Sequence, residues 1–193
     1  MSRMLRRRLR TVAPLVAAVM VAVMVGGCTL ASKGSYDKHG VSFHYPKDWE
    51  RGKLSGLSAQ NAGGLWTEAF KPSSSSSKAD MIFITEYRTP VAITWKNRAT
   101  YSDEIASSVA TVTKRAGGKI LAGPAMVSMG GLPGFGFRIS ATTVDGLSSE
   151  SRILLVWNGK TEYYLNCQHD TNGTRSGAVE RACTRIISSF ELS

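Results

Sequence analysis

The sequence predicts an α+β fold, a sandwich with a central antiparallel sheet, its elements running three strands, a helix, four strands and a helix. Three observations lead there. Short stretches such as Val41–Tyr45 alternate apolar and polar residues with the two-residue period of a half-buried strand. The connections between the later stretches are tight turn sequences, which join antiparallel neighbours and leave no room for a crossover. Two segments, Tyr101–Arg115 and Ser176–Phe190, instead repeat apolar residues at the helical period of 3.6.

In chain order, the first segment is not part of that fold. Residues 1–10 carry five arginines and no acid, and Thr11–Gly27 contains no charged side chain. This is the basic n-region and apolar h-region of an export signal. The uncharged run has 17 residues and holds Pro14, Gly26 and Gly27, whereas an ordinary spanning helix uses about 20. Val25-Gly26-Gly27-Cys28 resembles the lipobox of bacterial lipoproteins, whose pattern is aliphatic, small, small, Cys. The resemblance implies cleavage before Cys28 and a diacylglycerol on its sulfur, which anchors the chain to the extracytoplasmic face of the cell membrane. Residues 1–27 are then the signal, 28–35 a small polar tether, and 36–193 a single domain. The formal net charge is +10, and the signal holds five of the arginines and no acid, so the rest carries +5. That excess is dispersed, which speaks against nucleic acid as a partner and suits either solubility or a face held near anionic lipid or wall polymer.

Within the domain, Pro46 ends the first strand and Trp49 follows in a turn. Leu65–Phe70 and Met81–Tyr87 read as strands, separated by KPSSSSSKAD, whose five serines predict a mobile hairpin loop. The helix Tyr101–Arg115 takes Ser102 as N-cap, carries Asp103 and Glu104 in its first turn, and buries Ile105, Val109 and Val112. Four strands follow, about Lys119–Met129, Gly134–Thr143, Ser149–Asn158 and Thr161–Cys167. Asn158-Gly159 between the last two is the sequence of a type I′ hairpin turn. In the closing helix, Val179, Cys183, Ile186 and Phe190 share one face, which turns Cys183 inward toward Cys167 at the end of the preceding strand. Outside the cytoplasm such a pair predicts a Cys167–Cys183 disulfide, contributing about 3 kcal/mol through loop closure.

The stretch GVSFHYPKDWE (Gly40–Glu50), the order of elements after it and the terminal ACTRIISSF resemble the PsbP-like fold. The cysteine pair is similar to that of LpqN-type lipoproteins of actinobacterial envelopes. The resemblance implies a central antiparallel sheet of six or seven strands with helices packed on its faces, implies accessory or adaptor proteins of larger assemblies, and transfers no ligand set onto this chain.

Catalytic patterns are absent from the sequence. Gly-x-Ser-x-Gly does not occur, and no serine can be paired with a base, so a hydrolase is disfavoured and no enzyme or cofactor is expected. MGGLPGFGF (Met129–Phe137) continues as an alternating strand rather than a helix, so it reads as a turn and not a phosphate cradle. Asp37, His39, His169 and Asp170 are the residue types of a metal shell without its spacing; surface histidines are the expectation, His44 among them. That leaves surface recognition. Trp95, in a loop before the first helix and flanked by Lys96 and Arg98, is the candidate contact patch for an envelope protein partner or wall polymer. The expected protein is a monomeric, lipid-anchored accessory module; the alternative is a small-ligand or metal-binding lipoprotein module.

Overall fold

The computed structural model describes residues 34–52, 64–142 and 146–193; the lipobox, the signal and most of the tether stretch lie outside them. In chain order the elements are β1 (Ser35–Lys38), β2 (Val41–His44), β3 (Trp49–Gly52), β4 (Gly64–Pro72), β5 (Met81–Ile93), a 3-10 turn (Arg98–Tyr101) and α1 (Ser102–Arg115). They continue with β6 (Lys119–Met129), β7 (Leu132–Thr142), β8 (Ser148–Asp170), α2 (Ser176–Ser189) and β9 (Glu191–Leu192). The main sheet has the order β3-β4-β5-β8-β7-β6, and β1-β2-β9 form a small second sheet. Every pairing is antiparallel.

The 23 residues of β8 would span roughly 75 Å if straight. They double back at Gly159-Lys160 instead, with Ser148 facing Thr171 and Trp157 facing Glu162. Thr171 N–H donates to the Ser148 carbonyl at 3.0 Å and the indole of Trp157 reaches Glu162; Gly159 sits at φ +62° while Asn158 keeps a negative φ, so the expected type I′ turn, which needs both central residues left-handed, is not the turn formed. The first arm pairs with β7 through Gly134↔Val156 and the second with β5 through Ile84↔Leu165. The hairpin therefore supplies two adjacent rows at the centre of the sheet.

Strand alternation divides the apolar side chains between two faces. On one, Ile82, Ile84, Leu154, Val156 and Leu165 pack beneath α2 and the small sheet, meeting Val179, Ala182, Ile186, Phe43 and Phe190. On the other, Phe83, Phe135, Phe137, Ile153 and Leu155 join Ile105 and Val109 of α1. Each such side chain removed from water contributes roughly 1.5–3 kcal/mol. Cys167 and Cys183, both fully buried, are joined by a disulfide with Cα atoms 5.9 Å apart. It fastens α2 to the second arm of β8.

Several expectations are corrected. Trp49 closes the expected turn, its N–H donating to the Pro46 carbonyl at 3.0 Å, but it is also the first residue of a strand, β3, paired with Pro72; its buried indole joins the cluster under α2. β1, too short to show a periodic pattern, pairs with β2 from Ser35 onward. β5 runs on to Ile93, and the register shift between Arg88 and Ile93 accommodates Pro90, which has no N–H to give a ladder. Ser102 does not cap α1. Its backbone is already helical, at φ −54° and ψ −50°, whereas a cap needs non-helical dihedrals; the 3-10 turn delivers the chain into the helix. The serine loop is held in place rather than free. Ser75 Oγ donates to Asp80 at 2.7 Å and Ser77 Oγ to Asp170 at 3.0 Å, while Asp170 N–H returns a bond to Asp80.

Candidate functional site

Trp95 lies in the turn between β5 and the 3-10 turn. The turn is built by Asn97, whose Oδ1 accepts from Thr94 N–H at 2.7 Å and from the Thr94 hydroxyl at 3.0 Å, while its Nδ2 donates to the Ala92 carbonyl at 2.9 Å. One amide side chain thus closes the loop on both sides. The indole of Trp95 is 54% exposed and yet fixed. Its N–H donates to the Gly131 carbonyl at 3.0 Å, and the Arg98 guanidinium stacks over its ring at 4.4 Å. Arg98 is itself tied to the Val127 carbonyl. Lys96 projects into solvent beside them.

The carbonyl that receives the indole belongs to the β6–β7 turn. There Gly130 and Gly131 take φ of +57° and +74°, a left-handed pair that favours glycine. β6 is the edge of the main sheet, and its Met126 and Leu121 are 59% and 43% exposed. Among the described residues, three of the five large exposed apolar side chains, Trp95, Leu121 and Met126, therefore sit on β6 or are bonded to its turn. Other large aromatics of the sheet fall elsewhere. Tyr87, Trp157, Tyr163 and Tyr164 are buried, and Trp66 is half-buried, donating to Glu86 at 2.7 Å.

The metal-type residues are dispersed. His39 stacks on Trp66, His44 is exposed on β2, and Asp170 is engaged by Ser77 and the Asn172 N–H. Among the described residues no group of three or more His, Cys, Asp or Glu side chains could hold a metal ion. None of the helices among them is long and apolar enough to cross a membrane.

Two features escaped the sequence reading. The first is Glu162, half-buried on the α1 face opposite Tyr87 of β5. Its carboxylate accepts from Trp157 Nε1 at 3.0 Å. Burial pushes its pKa up to about 7 despite that bond, and burial first, then the charge of Glu162, raises the phenol of Tyr87. With no nucleophile assigned beside it, this carboxyl titrates without an evident reaction.

The second is a cleft of about 460 Å³ between the Pro46–Trp49 turn and α2. Ala178, Arg181, Ala182 and Arg185 line one wall at the i, i+3, i+4, i+7 spacing of a single helix face. Lys47 and Asp48 form the other, over the buried Trp49. That alternation of small and basic residues along α2 was readable. Its opposing wall was not, because it depends on how the Pro46–Trp49 turn folds over the helix.

No family model matches the sequence, and no curated protein matches it. Solved structures do. Cyanobacterial PsbP (CyanoP) from Synechocystis is 14% identical with a TM-score of 0.59, over 89% of this chain and 98% of that one. LpqN, involved in cell envelope biogenesis of Mycobacterium tuberculosis, is 12% identical with a TM-score of 0.54, over 82% and 87%. A Bacteroides thetaiotaomicron protein is 12% identical with a TM-score of 0.52 over 84% of this chain, which spans about half that protein's length. The fold is PsbP-like.

Proposed function

We propose that this chain is a lipid-anchored, extracytoplasmic accessory protein that docks an envelope protein through the Trp95 patch. The observation that carries the reading is the state of Trp95: more than half exposed, yet held by a hydrogen bond and a stacked guanidinium. An exposed indole whose freedom is already restricted loses little entropy on association, and Trp and Arg are the residue types that dominate interface energetics. Met126 and Leu121 add exposed apolar area further along the same edge strand. The structural likeness to LpqN, involved in cell envelope biogenesis, supports the setting, and the lipobox-like Val25-Gly26-Gly27-Cys28 supports the anchor.

The test is crosslinking in intact cells, with identification of captured proteins from wild type and Trp95→Ala. Loss of a specific partner from the variant is expected; identical capture refutes the patch. Cys28→Ser tests the anchor separately. It is expected to release or misprocess the chain, and a fully membrane-bound mature form argues for a retained helix.

A further inference from the structure

We infer that the cleft beside α2 binds the phosphate of an anionic phospholipid headgroup, drawn from the membrane to which the chain is tethered; the source of that ligand rests on the lipid-anchor reading above. The cleft holds three cations, Lys47, Arg181 and Arg185, against one acid, Asp48. None of the three cationic side chains forms an ion pair or hydrogen bond with a described residue. Elsewhere the fold does neutralise such groups. On the same helix Glu180 pairs with Arg138 at 2.5 Å and with Arg152 at 3.7 Å, and Arg51 is matched by Glu68. Free guanidinium groups present forked donors that match phosphate oxygens.

Shape agrees with charge. Ala178 and Ala182 leave the gap along α2 that longer side chains would fill, and the floor is closed by Trp49, which is 2% exposed. Location points to the ligand's source. Gly34, the first described residue, accepts a bond from Tyr45 N–H at 3.2 Å, and a Cβ placed on it would stand 3.4 Å from Lys47 Cγ. The wall of the cleft is therefore next to the point where the domain begins. Cys28 lies six residues earlier, a contour of at most ~20 Å. An acyl chain on that sulfur would keep the cleft within reach of the headgroup layer.

The test titrates the full chain, in neutral detergent micelles at 0.1 M salt, with short-chain phosphatidylglycerol, short-chain phosphatidylcholine and inorganic phosphate, read by calorimetry. Saturable binding of phosphatidylglycerol is expected, at least tenfold tighter than either of the others. Arg181→Gln with Arg185→Gln should weaken it tenfold or more. Lys114→Gln with Lys119→Gln, the same charge change at the far end of α1 and the start of β6, should leave it unchanged. Ala178→Leu keeps every charge and fills the cleft, and should weaken binding as strongly. Equal binding of the two lipids, equal effects of the two charge pairs, or undiminished binding by Ala178→Leu overturns the site. Phosphate binding as tight as phosphatidylglycerol overturns the membrane source in favour of a soluble anion. The wild-type lipid comparison stands whether or not a variant folds. Because the titration needs no acyl group, Cys28→Ser can lose the membrane and still bind, so the anchor and the cleft fail separately.

Discussion

Glu162→Gln should make the protein more stable at pH 8 while changing little at pH 4. The carboxyl moves from an ordinary pKa of 4.5 to about 7 on folding, driven by burial and opposed by the bond from Trp157. Between those two values the folded chain holds a proton that the unfolded chain has released, so stability falls as pH rises through that window and stays lower above it. A shift of this size corresponds to at most about 3 kcal/mol. Glu162 is only half-buried, so water offsets part of it and ~1–2 kcal/mol is the expectation. Glutamine removes the titration and keeps a carbonyl oxygen for Trp157 Nε1. Urea unfolding of both proteins at pH 4, 5, 6, 7 and 8 isolates this one group, because every other carboxyl is common to both. The gap should open between pH 5 and 7 and reach a midpoint difference of roughly 3–6 °C in thermal scans at pH 8. Parallel profiles, or a variant less stable than wild type at pH 8, would refute the placement of this carboxyl among Tyr87, Trp157 and Tyr164.

Other perturbations follow from the same geometry. Replacing both Cys167 and Cys183 by alanine opens a loop of 16 residues and should lower stability by about 3 kcal/mol; wild type in reductant should match it by circular dichroism melting, and the double variant should ignore reductant. Gly130→Ala and Gly131→Ala both force a left-handed residue, at about 1 kcal/mol or more. Only at Gly130 does a Cβ fall 2.6 Å from the Phe190 carbonyl, so Gly130→Ala should be the worse of the two by at least ~1 kcal/mol in denaturant titrations. Asn97→Ala removes three hydrogen bonds from the loop without touching the indole. It should reduce partner crosslinking through Trp95 while global stability falls by no more than about 2 kcal/mol.

The central strands and both helices were legible because their signals are local. Alternation over Val41–His44, the stripe Val179, Cys183, Ile186, and turn glycines at Gly130 and Gly159 each declare themselves within a dozen residues. What was illegible depends on contacts remote in sequence. β1 and β3, of four residues each, are held by partners rather than by pattern. Five serines carry no signal that Asp80 and Asp170 will bind two of them. The Trp95 loop could be picked out from its composition, but not the Gly131 carbonyl, 36 residues away, that fixes its indole. Glu162 reads as an ordinary solvated position on an alternating strand, and only the burial of Tyr87 and Tyr164 around it changes its chemistry.

The small sheet has a topological consequence. β9 pairs with β2, which pairs with β1, and Ser193 N–H donates to the Gly40 carbonyl. The C-terminus and the start of the domain therefore emerge from the two outer strands of one three-stranded sheet, with β2 between them, about 10 Å apart across it and about five residues apart along it. A linker of some six residues could join Ser193 to Gly34, and new termini could then be opened at the exposed Gly146 turn with every strand pairing preserved. Such a circular permutant would present the same domain from the opposite point of attachment.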